Sequence, residues 1–212
     1  MREARDGDAD GLISLISACY AEYPGCVLDV DGEEPWLRAP AATTAARRGR
    51  LWVAESSDPA TVGSAGSGGA LAVGSAGSDG APAVRATGSS GAVIVGSAGS
   101  DGVATVRATG PGAVIVGSAG LRPARQGTVV LHALYVARGA RRRGLGAQLV
   151  GLVEAEARSR GSLRVALWSD TRFADAHRLY QRLGYLRTPS VRELHDASRS
   201  LEYQFVKQLS PA

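Results

Sequence analysis

The stretch Leu131–Ala147 reads LHALYVARGARRRGLGA, and its reading decides the fold. The first residues continue a strand pattern that runs from Thr128 to Val136. An arginine-rich turn follows, and then a helix opens at Gly144-Leu145-Gly146. A helix start exposes backbone N–H groups without intrahelical partners and carries the positive end of the macrodipole. Glycines at that point let a bulky anion approach the main chain, because no Cβ stands in the way. Arg141, Arg142 and Arg143 add positive charge around the same point. Chemically, the stretch is a pyrophosphate cradle.

The run Arg141-x-x-Gly144-x-Gly146 resembles the acyl-CoA signature (Arg/Gln-x-x-Gly-x-Gly/Ala) of the GNAT superfamily of N-acetyltransferases. Leu134-Tyr135-Val136 is similar to that family's splayed strand, whose backbone pairs with pantetheine. A second block, Ala176–Tyr185, resembles the family segment A-x-x-L-Y-x-x-L-G-F/Y. The likeness covers Thr128 to Leu209, and the first 55 residues more loosely. It departs at Arg138, where the family often has Pro, outside the phosphate loop. It departs again at Phe173, where an Asn often stands, which puts one cofactor contact in question.

The resemblance implies an α/β (α+β) fold of one domain over residues 1–212. Its central sheet would be mixed but mostly antiparallel, with one splayed parallel strand pair and about four flanking helices. It implies acetyl-CoA as co-substrate, held by the backbone of Leu134, Tyr135 and Val136 and by Arg141, Arg142, Arg143, Gly144, Leu145, Gly146 and Ala147. The N–H of Leu134 or Val136 would hold the thioester oxygen, and Tyr180 would protonate the departing sulfur. The family often places a carboxylate base on the strand beside the thioester. This chain has Val130 and His132 there, so His132 is the candidate base. His177 lies three residues from Tyr180, on a side expected to face solvent, and His195 falls in a turn.

Working back to the start of the chain, Met1–Arg5 reads as a short strand and Asp8 stands at a helix N-cap position. Leu12, Ile13, Leu15, Ile16, Cys19 and Tyr20 form one apolar stripe, so a helix is expected over 9–22, closed by Pro24-Gly25. Cys26–Pro35 is an acidic loop. It is either a solvated connector or, through Asp29, Asp31, Glu33 and Glu34, a lure for a cationic amine. Its DVDG is similar to the start of a calcium loop, but no Glu stands at the twelfth position, and no metal site is expected. A second helix is expected over 35–48, with Trp36 packed on the core or lining the acceptor pocket.

Beyond the strand Leu51–Ala54 the chain changes character. VGSAG recurs at Val62, Val73, Val95 and Val116. Too few large side chains accompany the repeats to bury a stacked core. The segment 62–112 is expected to be a Gly/Ser/Ala/Val-rich insertion between the second and third core strands, loosely β-structured, with Val93–Val95 and Val103–Val106 paired as a hairpin. The third strand would be Ala113–Gly120. Downstream, a helix over 144–160 capped by Gly161, a strand over 163–168, a helix ended by Gly184, and a closing pair of strands at 185–193 and 200–209 complete the pattern.

Composition sets the outer limits. Hydrophobic residues make up 44% of the 212, enough for a core, and the net charge of +4 suits an anionic ligand. Nucleic acid would fit that charge too, but aromatics do not interleave with the arginines. Cys19 and Cys26 have neither zinc spacing nor a catalytic context. No window approaches a membrane span, and a cytoplasmic location is the default. The Ala/Gly/Arg/Val bias is what a GC-rich bacterial genome produces. The leading expectation is direct acetyl transfer to a primary amine of a small molecule or protein. The competing one is an acyl-CoA-binding sensor of the same fold without turnover. Edge strands near the C-terminus offer a surface for a homodimer.

Overall fold

The computed structural model describes residues 1–58, 113–125 and 127–210. Its strands are β1 (Arg2–Glu3), β2 (Arg50–Ser56), β3 (Val114–Pro123), β4 (Thr128–Val136), β5 (Arg164–Asp170), β6 (Leu186–Glu193) and β7 (Leu201–Gln208). The helices are α1 (Ala9–Tyr20), α2 (Pro40–Ala46), α3 (Leu145–Ser159) and α4 (Ala174–Arg182). The strands form one sheet in the order β1-β2-β3-β4-β5-β7-β6, and β4 and β5 are its parallel pair. The expected 62–112 insertion and the Val93–Val95/Val103–Val106 hairpin lie outside the described residues.

The parallel pair is brief. Thr128, Val129 and Val130 pair with Arg164, Val165 and Ala166, and there the ladder stops although both strands continue. The cause lies on the other edge of β4. Between the Gly120–His132 and Ser118–Tyr135 pairs, β4 advances one residue more than β3. The extra residue makes a bulge at Ala133, whose φ is +50° and whose carbonyl accepts the Ser118 hydroxyl at 2.8 Å. Side-chain alternation slips across it. Val129 and Leu131 face the core under α3, but beyond the bulge Leu134 and Val136 take over that face while Tyr135 turns toward α1. Bulge and splay together open a cleft in the middle of the sheet.

Two cores hold the sheet from its two faces. Leu149, Val150, Val153 and Ala157 of α3 pack with Val165, Leu167, Phe205 and Tyr185, while Leu12, Leu15 and Ile16 of α1 pack with Val53 and Leu51. Each such fully buried aliphatic contributes roughly 1.5–3 kcal/mol. The small run Gly117–Gly120 of β3 makes this possible, since a Cβ on Gly117 would come within 3.0 Å of Leu149. Gly161, at φ +69°, ends α3 as the sequence implies.

One local expectation needs correction, and a second gains a detail. The helix expected over 35–48 is split into a 3-10 turn, Pro35–Arg38, and α2, with Ala39 between them at φ −142°, ψ 72°. Pro40 is the reason, because the residue before a proline is driven out of the α region. Asp8 holds the N-cap position of α1 as expected, but its carboxylate makes no capping bond. Its carboxylate accepts the Arg5 N–H at 2.7 Å and two bonds from Arg2 at 2.8 and 2.7 Å. The Arg2 guanidinium, bonded to both carboxylate oxygens, holds it there.

Candidate active site

Two cavities flank the cleft. The larger, about 590 Å³, is bounded by the end of β4, the start of α3, α4 and the end of α1. The smaller, about 270 Å³, lies along the other side of β4, against β5, the β6–β7 loop and the acidic loop. Tyr20, Leu134, Tyr135 and Phe173 line both, so they form the wall between the two chambers.

The larger cavity ends at the N-terminus of α3, which no side chain caps. Gly144 sits there at φ +82°, a conformation that suits glycine. A Cβ on Gly146 would lie 3.0 Å from Leu179 of α4, so this glycine also sets the approach of α4 to the helix entrance. Ala137 N–H bonds the carbonyl of Val116 at 2.8 Å. By strand alternation the N–H groups of Leu134 and Val136 then point away from β3, into the gap that β5 vacates. Oriented amides thus stand at both ends of the chamber.

Of the residues expected at a cofactor, Leu134, Tyr135, Val136, Arg141, Arg142, Gly144, Gly146 and Ala147 line this cavity. Leu145 instead packs into the core beside Leu149, and Arg143 leans toward Asp58 at 3.6 Å. Arg141 is already engaged. It donates from Nε to the Val136 carbonyl at 2.8 Å and through both Nη atoms to Glu22 at 2.8 and 2.6 Å, which ties the end of α1 to the end of β4. The exposed arginines at the chamber are Arg142, Arg178 and Arg182, and the exposed Asp175 beside them pairs with Arg178 and lies 3.6 Å from Arg142. Arg178 and Arg182 escaped sequence reasoning, although their i, i+4 spacing in the second block put them on one helical face.

Cys19 also lines this chamber, but burial pushes its thiol up and keeps it protonated. It donates to the Val136 carbonyl at 3.6 Å. A neutral, enclosed thiol is a poor nucleophile.

The smaller cavity receives Tyr180, His132 and Glu34. Tyr180 is buried in α4 beside Ser169 of β5, and desolvation raises its phenol well above the usual range. His132 lies over Gly120, where a Cβ would come within 2.7 Å of the ring, and meets Trp36 edge-on at 6.2 Å. Burial, with Arg122 and Arg47 adding repulsion, lowers it to about 4. It is therefore neutral at neutral pH, and a weak base. Glu34 behaves oppositely, since desolvation raises its carboxyl, moderated by a hydrogen bond from the Trp36 indole N–H.

The acidic loop divides. Asp29 Oδ1 accepts the N–H of Gly32 at 2.8 Å and of Asp31 at 3.2 Å, Asp31 pairs with Arg38 at 2.7 Å, and Glu33 accepts the Ala197 N–H at 2.5 Å. Those three hold the loop's shape and do not line the cavity, and Trp36 stands behind Glu34. Asp170, Asp196, Glu202, Arg122 and Arg192 complete the charged lining, and the sequence had singled out none of them. His177 turns inward against Tyr203 and Phe205, at 5.7 and 5.2 Å, with its Nε2 enclosed. The described residues contain no cluster of potential metal ligands, and none of their helices is long and apolar enough to cross a membrane.

Residues 98–185 match the acetyltransferase (GNAT) family. Among solved structures, a GNAT-family acetyltransferase from Staphylococcus aureus Mu50 aligns over 98% of this chain and 97% of its own, at 14% identity and a TM-score of 0.61. The ribosomal-protein-S18-alanine N-acetyltransferase of Escherichia coli aligns over 49% of this chain and 67% of its own, at 22% identity and a TM-score of 0.40. A Bacillus anthracis protein assigned as a streptothricin acetyltransferase, in complex with acetyl coenzyme A, aligns over 46% and 57%, at 15% identity and a TM-score of 0.41. The first of these likenesses, spanning both chains, is the one that defines the fold. No curated protein matches the sequence.

Proposed function

For a chain that carries an acetyltransferase (GNAT) family domain on the GNAT fold, we propose acetyl-CoA-dependent N-acetylation of a primary amine, by direct attack and without an acyl-enzyme. The observation that carries this reading is the uncapped, glycine-led start of α3, facing one chamber that shares a wall with a second, acid-lined one. Acetyl-CoA suits the larger chamber. Its diphosphate would rest on the amides from Arg141 to Ala147, with Arg142, Arg178 and Arg182 supplying charge, and its pantetheine would run along Leu134–Val136. Arg143 and Leu145 take supporting places in this reading, because one leans away and the other packs inward.

The amine enters from the smaller chamber. Its carbonyl partner would be polarised by the N–H of Leu134 or Val136, aimed into the splay. Tyr180, kept protonated by burial, is the acid for the departing thiolate. For the proton on the attacking ammonium, Glu34 is the better acceptor than His132. Its raised carboxyl has the greater basicity of the two within reach of the chamber, directly or through water. The remaining acids, Asp29, Asp31 and Glu33, would act only through the field they add at the loop.

The test is calorimetric titration with acetyl-CoA followed by a thiol-release assay over a panel of amines. Binding with turnover supports the proposal. Binding without turnover on any amine would favour the sensor reading, and no binding would remove both.

A further inference from the structure

The acceptor chamber has two chemically different ends. Cross-strand partners in a sheet share a face, so Arg122 lies beside Val130, then His132 over Gly120, then Tyr135 beside Ser118. The chamber therefore runs along β4 from Arg122 to the tyrosine wall, and Glu34 belongs to the wall end, where its charge acts on both Tyr20 and Tyr135. Arg192 is satisfied by Glu202 at 2.6 Å and stacks over Trp168 at 4.5 Å. Arg122 is exposed where it lines the chamber, its side chain makes no hydrogen bond or ion pair among the described residues, and its electrostatic neighbours are Arg192 and Arg47. An unpaired guanidinium in a lined chamber, repelled by its own kind, is a seat for an anion.

We propose that the acceptor is an amino-carboxylate, its amine at the Glu34 end beside the splay and its carboxylate on Arg122. This deepens the acetyltransferase reading and rests on it. Val130 to Leu134 spans roughly 10–13 Å of strand, given about 3.3 Å per residue and one bulge. Arg122 and Glu34 line the two ends of that length, so the two charged groups of the acceptor sit several bonds apart. In the transfer, the ammonium first gives one proton to the Glu34 end, and the amine nitrogen then forms the bond to the acetyl carbon. As the carbon–sulfur bond breaks, the thiolate takes a proton from Tyr180, and the nitrogen's second proton restores Tyr180 through solvent. The carboxylate is unchanged and serves as an anchor.

The experiment uses the full chain, acetyl-CoA, and the straight-chain amino acids with one to five methylenes between amine and carboxylate, each beside its amide. The expected result is a preference of at least tenfold in kcat/KM for acid over amide at one or two chain lengths. In Arg122→Gln the preference collapses toward unity, while calorimetry shows the acetyl-CoA Kd of the native chain, which also reports that the variant is folded. Equal use of acids and amides at every length, or a preference that survives Arg122→Gln, overturns the inference and leaves the acetyltransferase reading standing. Turnover of other amines with none of the series accepted overturns it as well. Failure to bind acetyl-CoA at all would instead bring down the reading beneath it.

Discussion

Tyr20 of α1 and Tyr135 of β4 meet hydroxyl to hydroxyl at 3.2 Å, with their rings edge-on at 6.0 Å, in the wall that both chambers share. Burial lifts Tyr20 to about 12 and Tyr135 well above its ordinary value, so both stay neutral and one must donate to the other. Replacing either by Phe leaves the other hydroxyl unpaired, at a cost of about 1–3 kcal/mol. The double replacement removes both needs at once. Urea unfolding of Tyr20→Phe, Tyr135→Phe and the pair should therefore show a double variant less destabilised than the sum of the singles. Additivity would mean that the hydroxyls do not depend on each other.

The two glycines of the α3 entrance should fail differently. Gly144 holds a left-handed φ of +82°, so Gly144→Ala should cost about 1–2 kcal/mol in stability. Gly146 is helical but has Leu179 at 3.0 Å from a notional Cβ, and it lines the large chamber. Gly146→Val should weaken acetyl-CoA binding more than tenfold by closing the approach to the amides. Thermal denaturation beside calorimetry separates strain from blockade. A Gly146→Val chain with native affinity would displace the diphosphate from this site.

Asp170, at the end of β5, is held below the ordinary carboxylate range by Arg172, which bonds it at 2.9 and 2.6 Å and again through the backbone N–H at 2.8 Å, against the opposing push of burial. A carboxyl depressed in the folded state stabilises the fold above its unfolded value near 3.9, and that contribution is lost as pH falls through the folded value. Asp8, paired with Arg2, acts in the same direction. Acid unfolding should set in below about pH 4. Arg172→Met should move its midpoint upward, as circular dichroism across a pH series would read.

The strand–turn–helix proposed to hold the diphosphate was legible as structure because glycine spacing, an arginine run and a strand–helix boundary all coincide in Thr128–Ala147, and β4 keeps the bounds its alternation implied. The bulge at Ala133 was not. It comes from a register mismatch between two strands, and nothing in HALYV marks an alanine for positive φ. Pro40 could have been read, since it forbids a continuous helix over 35–48. The smaller chamber was the least legible, because Glu34, Arg122, Asp170 and Glu202 come from four separate elements and meet only through the sheet order. Charge pairing also hid there. Three of the four acids in the loop look alike in sequence until their partners, an amide, an arginine and a distant loop, are in view.

β2 and β3 are antiparallel neighbours whose ends, Ser56 and Val114, are register partners. A short hairpin loop would join strands so placed. Deleting residues 62–110 should therefore leave the thermal midpoint within a few degrees of native and acetyl-CoA binding unchanged. Loss of binding in a folded deletion chain would show that the repeat segment supports the site.

Tyr180 and Glu34 should leave different marks on the pH profile. A general base must be deprotonated to act, so kcat/KM should rise with pH through the value of Glu34, which burial places above the ordinary carboxylate range. Glu34→Gln should lower kcat by about 10²–10⁴ and erase that limb. Tyr180 is raised instead of lowered, so it remains an acid throughout the usual assay range and should add no alkaline fall of its own. Tyr180→Phe should reduce kcat by a similar factor at every pH without moving the acidic limb or the acetyl-CoA affinity. A leaving thiolate is a stable anion, so activity should partly return in the variant with an acyl donor whose thiol is more acidic. An unchanged kcat in Tyr180→Phe would mean that water protonates the sulfur. An acidic limb that survives Glu34→Gln would return the base to His132, whose lowered value, about 4, would then have to appear in the profile.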